Sequence, residues 1–192
     1  MYRLIVLLLL LLAVVPFAAG AEPRQYRLDP EGSVVGFGYT LGGVAGAGVM
    51  PILSADLVID FARLSASRAE VRLDVTGARA ANALVTQALT GPEVLDAASH
   101  PEIRFVSRRV EGSLRDGARL IGDATIRGVT RPMVLEARVY RARDSAEGDL
   151  SRITVLLTGA IDRSAYGADG YADLVADRVT LDIRAKLEQV AR

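Results

Sequence analysis

Between Leu120 and Val139 two alternating strand patterns flank the run Arg127-Gly128-Val129-Thr130-Arg131-Pro132. Leu120, Gly122, Ala124 and Ile126 fall on one side of the first half, with Asp123, Thr125 and Arg127 on the other. In the second half Met133, Leu135, Ala137 and Val139 oppose Glu136 and Arg138. Successive side chains of a strand point to opposite faces, so the pattern predicts a half-buried antiparallel hairpin. Gly128 supplies backbone freedom and Pro132 withholds an amide donor, which puts the turn in this run.

The same period recurs along the chain. Val35, Phe37 and Tyr39 share a face ahead of a Gly-rich stretch from Gly42 to Gly48. Leu57, Ile59 and Phe61 oppose Asp56 and Asp60, and Val71, Leu73 and Val75 alternate with Glu70, Arg72 and Asp74. Ile103 and Phe105 follow, then Ile153 to Ile161, then Val179 to Leu187 with Thr180, Asp182, Arg184, Lys186 and Glu188 opposite. Short alternating strands at close spacing imply an all-β sandwich or barrel. One segment differs. Ala81, Leu84, Val85, Ala88 and Leu89 keep a helical period and Gly91-Pro92 ends it, which predicts one short helix near residues 80–90. Its apolar stripe reads as a core face or as a lid over one end of the sheet.

Charge settles which side of the strands is wet. A lipid-facing charge costs about 2–4 kcal/mol near a bilayer midplane, so Asp182, Arg184 and Lys186 exclude a transmembrane barrel. The apolar faces point inward. Ahead of the strands, Arg3 precedes an apolar run from Leu4 to Val15 and then Ala18-Ala19-Gly20-Ala21, the pattern of a secretory signal over residues 1–21. An uncleaved anchor is the alternative. The expected mature protein is one domain over 22–192, periplasmic by the bacterial look of the cleavage site. It carries 22 basic residues, Arg3 being lost, against 23 acidic ones, which gives no footprint for nucleic acid. With no cysteine, burial alone holds the fold.

Catalytic patterns are sparse. His100 is the single histidine and no cysteine exists to share a zinc site with it, so it reads as a turn residue. No Gly-x-Ser-x-Gly elbow occurs, and Ser164 beside Arg163 reads as a strand end rather than a nucleophile. Asp169 and Asp173 lack the ligand density of a calcium loop. Gly46 and Gly48 begin a dinucleotide fingerprint that Pro51 breaks. No cofactor or metal is expected, and no enzyme.

Several runs, in order, resemble a known family. They are Tyr26-Arg27-Leu28-Asp29-Pro30-Glu31-Gly32-Ser33 with Val35-Gly36-Phe37, then Val94-Leu95-Asp96 and His100-Pro101-Glu102-Ile103-Arg104-Phe105. Gly122 to Pro132, Arg163-Ser164-Ala165-Tyr166-Gly167 and Asp177-Arg178-Val179 complete the set. The chain resembles the YceI-like family of periplasmic proteins, described as polyisoprenoid-binding and lipocalin-like. It departs from the family's pattern at Tyr39-Thr40-Leu41, where many members carry a histidine, and at Thr86-Gln87-Ala88 and Val94. The resemblance implies an extended antiparallel eight-stranded lipocalin-like barrel holding a long isoprenoid chain.

A barrel of that size is filled by side chains or holds one ligand. Gly122, Ala124, Ala137, Gly159 and Ala185 on the inner face favour a tunnel, and there is no Trp. Each buried isoprene unit is worth roughly 3–4 kcal/mol at about 0.8 per carbon, much of it offset by ordering and association. The expected tunnel residues are Phe37, Tyr39, Leu57, Ile59, Phe61, Val71, Leu73, Phe105, Ala124, Ile126, Leu135, Val155, Leu157, Leu181 and Ile183. Arg127, Arg131 and Arg163 are candidate head-group contacts, because guanidinium matches phosphate geometry; their other reading is that they only fix turns. The expected ligand is a quinone or polyprenyl species, carried or stored, with transient membrane contact and homodimerisation both compatible with the pattern. Two competing readings are an enzyme acting on such a lipid and a stress-related interaction module with a packed barrel.

Overall fold

Strands form where the alternation runs, and they close on themselves. The computed structural model describes residues 23–190; the leader expected over 1–21 lies outside the described residues. The described residues form ten strands: β1 (Arg24–Leu28), β2 (Val34–Leu41), β3 (Val44–Met50), β4 (Ile52–Ile59) and β5 (Arg68–Asp74), then β6 (Glu102–Ser113), β7 (Gly117–Ile126), β8 (Val129–Arg141), β9 (Arg152–Asp162) and β10 (Arg178–Gln189). Among the described residues there are also one α-helix, α1 (Ala83–Thr90), and two short 3-10 turns, η1 (Leu64–Ala66) and η2 (Arg163–Tyr166).

The strand order is β1-β4-β5-β6-β7-β8-β9-β10, and β10 pairs back onto β1 through Leu28–Leu187 and Tyr26–Gln189. Every pairing is antiparallel, giving a closed eight-stranded barrel. Closure removes the unpaired edges that an open sheet would expose. The β2–β3 hairpin prolongs one wall: β2 pairs with β10 from Thr180 to Arg184, beyond the reach of β1. The far edge of β3 meets no strand, only a bridge between Val49 and Arg79. The segment leading into α1 therefore seals the wall at this point.

The break at Arg127-Gly128 is a two-residue hairpin turn with both residues left-handed, φ +50° and +76°. That geometry suits the twist of the flanking strands. Pro132 lies inside β8, where β8 has no second neighbour, because β9 pairs with β8 only from Glu136 onward. The turn thus belongs to Arg127-Gly128, and Pro132 marks a free strand edge.

Other expectations shift in detail. The Gly-rich stretch divides: Gly42 and Gly43 make the left-handed β2–β3 turn, and Gly46 and Gly48 lie in β3, alternating with Ala45, Ala47 and Val49. Asp60 is not on a wetted face: it is fully buried, its carboxylate accepting from the backbone N–H of Ala62 and Arg63 at 3.0 and 2.8 Å. Outside, Glu70 bridges Arg104 at 2.9 Å and Arg108 meets Asp123 at 2.5 Å, as the charged faces require. Inside, two apolar clusters form, one around Tyr166, Met133 and Ala124 and one around Tyr26, Leu57 and Leu187.

Candidate functional site

The inward faces do not meet at the barrel axis. A cavity of about 500 Å³ lies between them. All fifteen tunnel positions expected from the alternation line it: Phe37, Tyr39, Leu57, Ile59, Phe61, Val71, Leu73, Phe105, Ala124, Ile126, Leu135, Val155, Leu157, Leu181 and Ile183. The lining is continuous from Leu64 and Leu114 at one end to Leu84, Tyr171 and Leu174 at the other. Beyond the tyrosines at 39, 166 and 171, its polar side chains are Ser67, Arg68 and Arg163. Ser67 is buried, its hydroxyl accepting from the Asp60 N–H at 3.0 Å, and so offers little to a ligand.

Small inward residues do not all leave space. The Phe37 ring lies where a side chain on Gly48 would be, the Tyr39 ring over Gly46 and the Phe105 ring over Gly122. Phe37–Gly48 and Tyr39–Gly46 are direct cross-strand partners, so each ring covers the glycine opposite. Likewise Leu135 occupies the space beside Gly159. Gly122 and Gly159 therefore seat neighbouring side chains instead of widening the tunnel, which is open beside Ala124, Ala137 and Ala185.

One end is built from several chain segments. Asn82 caps α1, its side-chain oxygen accepting from Val85 N–H at 3.0 Å. No residue of α1 is buried; Val85, Ala88 and Leu89 face the cavity and Leu84 is 77% exposed at its rim. The strap from Ala168 to Ala176 crosses the same end. Its backbone is tied to the β2–β3 tip by Gly42 N–H to Leu174 O and by Ala176 N–H to Thr40 O, and to the segment after α1 by Gly170 N–H to Glu93 O. Helical spacing signalled α1. Nothing periodic marks Tyr171, Leu174 and Val175, which reach the cavity only through these long-range bonds.

The three arginines gather here and differ in how they are used. Arg163 is buried, and its guanidinium donates to the carbonyls of Ala168, Gly170, Val175 and Ala176, so it fixes the strap. Arg127 donates through its two terminal nitrogens to Gly167 O and Pro92 O, locking the hairpin turn against η2. Arg131 donates through Nε to Ala165 O at 2.8 Å. Beside it, Tyr166 is buried, and burial raises its hydroxyl pKa while the Arg131 charge acts to lower it.

Ser164 pairs with Asp177, which accepts from its N–H at 2.8 Å and its hydroxyl at 2.9 Å. These bonds, the backbone one foremost and aided by Arg163, hold the Asp177 carboxyl below its ordinary pKa. His100 packs its ring on Gly128 at the β7–β8 turn. Among the described residues no group of three or more His, Cys, Asp or Glu is placed to hold a metal ion.

A closed antiparallel barrel, apolar within and ion-paired without, around an apolar cavity is the architecture of the lipocalin-like class. The chain belongs to the YceI-like domain family, whose model matches residues 26–187. It is 26% identical over 177 residues, 90% of each chain, to the UPF0312 protein PputW619_0484 of Pseudomonas putida (strain W619). A 78-residue stretch is 33% identical to a UPF0312 protein of Pseudomonas syringae pv. syringae (strain B728a), and this match spans 41% of either chain. Among solved structures it resembles Burkholderia cenocepacia BcnA, with TM-score 0.74 at 20% identity, covering 83% of this chain and 99% of that one. It also resembles a polyisoprenoid binding domain from Saccharophagus degradans, with TM-score 0.62 at 15% identity, covering 87% and 99%. Likeness at such identities speaks for the fold.

Proposed function

We propose that this protein binds an isoprenoid lipid, a quinone or polyprenyl species, along the barrel axis and acts as a periplasmic carrier or store without catalysing a reaction. The observation that carries the reading is the cavity: about 500 Å³, continuous and lined almost wholly by aliphatic and aromatic side chains. Water gains few partners on such walls, whereas a branched hydrocarbon gains dispersion contacts and leaves water. The Saccharophagus degradans neighbour is described as polyisoprenoid binding, which agrees with this choice of cargo. A leader of secretory pattern before the barrel supports export.

Such a cargo is drawn from a bilayer, and transient membrane contact accounts for the rim. Leu84, Tyr171 and Leu174 line the cavity yet are 77%, 47% and 58% exposed. A chain sliding out of the barrel would cross these side chains before reaching the surface. The packed-module reading requires an interior filled by its own side chains, and the open cavity speaks against it.

The test is to extract the purified protein and identify bound lipid by mass spectrometry, then measure thermal shifts with quinones and polyprenols. Co-purified isoprenoid and a raised melting temperature are expected. A protein without bound lipid that responds to neither class would overturn the reading.

A further inference from the structure

Three arginines surround η2, Arg163 on the cavity lining and Arg127 and Arg131 outside it, and their hydrogen bonds separate them. Arg163 has both terminal nitrogens on carbonyls, and so does Arg127. Arg131 uses only Nε, on Ala165 O, and among the described residues its two terminal nitrogens meet no acceptor. The carbonyl that holds Arg131 belongs to the residue before Tyr166, whose side chain lines the cavity. The Tyr166 ring is buried at 3% exposure, and its hydroxyl, which makes no hydrogen bond among the described residues, keeps its contact with solvent. The free end of the Arg131 guanidinium thus stands near Tyr166, the residue that carries the cavity lining toward it.

We infer that Arg131 and Tyr166 form a head-group site for an anionic phosphate at the end of a prenyl chain. The assignment rests on the lipid reading above. Several features favour phosphate. Both terminal nitrogens of Arg131 are donors in one plane, suited to two oxygens of a phosphate. The Tyr166 hydroxyl adds a third donor, free to bond an anionic acceptor because among the described residues no protein group bonds to it. Arg131 is exposed, so the charged group keeps contact with water while its chain lies in the barrel. Position agrees as well. Arg131 has the inward parity of Met133 and Leu135 on β8, and it lies beyond the point where β9 leaves that strand. The gap so formed, bordered by η2, gives a head group its way to the surface beside Arg131.

The experiment compares geranylgeranyl monophosphate with geranylgeraniol, which share a chain and differ in the head, by calorimetric titration of the full barrel. The wild-type protein should bind the phosphate about tenfold or more tightly than the alcohol. Arg131→Gln should erase that preference while leaving alcohol affinity unchanged; Arg131→Lys should keep part of it; Tyr166→Phe should reduce it several-fold. Arg127→Gln, which loosens the same turn without facing the ligand, should lower melting temperature but keep the preference. Inorganic phosphate at millimolar concentration should neither stabilise the protein nor displace the prenyl phosphate. A preference that survives Arg131→Gln overturns the head-group site alone, as does strong binding of inorganic phosphate lost in that variant, which would mark a free-anion site. Failure of the wild-type protein to bind either prenyl compound overturns the lipid reading and this site with it.

Discussion

Arg163 is buried among carbonyls, and among the described residues no carboxylate forms an ion pair with its guanidinium, Asp177 acting on it only through space. Backbone dipoles supply the solvation that water would otherwise give, and in return the strap has a fixed path. Truncation would strand several carbonyls at once. Arg163→Gln is expected to lower unfolding free energy by about 2–4 kcal/mol, read from the urea midpoint, and Arg163→Lys should not restore it because an ammonium lacks the planar fork. Asp177 gives a second prediction. Its folded pKa is lowered by the Ser164 N–H, the Ser164 hydroxyl and Arg163, so the unfolded chain takes up the proton first as pH falls. The stabilisation it gives is present at neutral pH and is lost as pH drops from roughly 5 through the depressed folded value. Asp177→Asn should therefore flatten the acid side of the stability curve, measured by urea melts from pH 6 to pH 3.

At the scale of elements, α1 is held by its cap and its seat on the cavity more than by burial. Eight residues are too few for a helix to persist alone, and none of them is buried. Asn82→Ala removes the acceptor for Val85 N–H and should cost about 1 kcal/mol. If α1 opens apart from the barrel, amide exchange over Ala83–Thr90 should quicken about fivefold while exchange in β7 and β8 is unchanged, since 1.4 kcal/mol is tenfold. A uniform change across the molecule would show instead that the helix and barrel open together. The hairpins differ in kind. β7–β8 is fastened to η2 by the side chains of Arg127 and Arg131, whereas β2–β3 is fastened to the strap by backbone bonds alone.

The barrel is a wall around a cavity, and closing a sheet on itself forces that choice. Eight strands set the diameter, and the inward side chains decide how much of the bore remains. Here alanines at 124, 137 and 185 leave part of it open. Ala137→Phe and Ala185→Phe place rings where the cavity can take them, so each is expected to keep or raise the melting temperature while abolishing the shift given by prenyl lipids. Loss of folding in both variants would mean that the bore is tighter than its geometry indicates. Mutations at the rim belong to the same scale. Leu84→Asp should slow lipid uptake from phosphatidylcholine vesicles and leave affinity for lipid offered in detergent unchanged, measured by fluorescence transfer.

Alternation by itself determined which face of each strand is buried, because a two-residue period leaves a side chain only two directions and charge assigns one of them to water. Hence the inner-face residues from Phe37 to Ile183 and the helical stripe near 80–90 were readable along the chain. The ordered motifs, from Tyr26 to Asp177, pointed to the family and so to eight strands. Volume was not readable. Gly122 and Gly159 look like openings in a linear pattern, yet rings and branches from neighbouring strands occupy their space, and register alone decides that. The strap was equally hidden, since Tyr171, Leu174 and Val175 have no period and are placed by a buried arginine and bonds to distant backbone. Nor could composition separate Arg127, Arg131 and Arg163, which are chemically identical until folding supplies carbonyls to some of their nitrogens. Local pattern fixes direction; only the closed tertiary structure fixes distance, and both cavity volume and free hydrogen-bonding capacity are matters of distance.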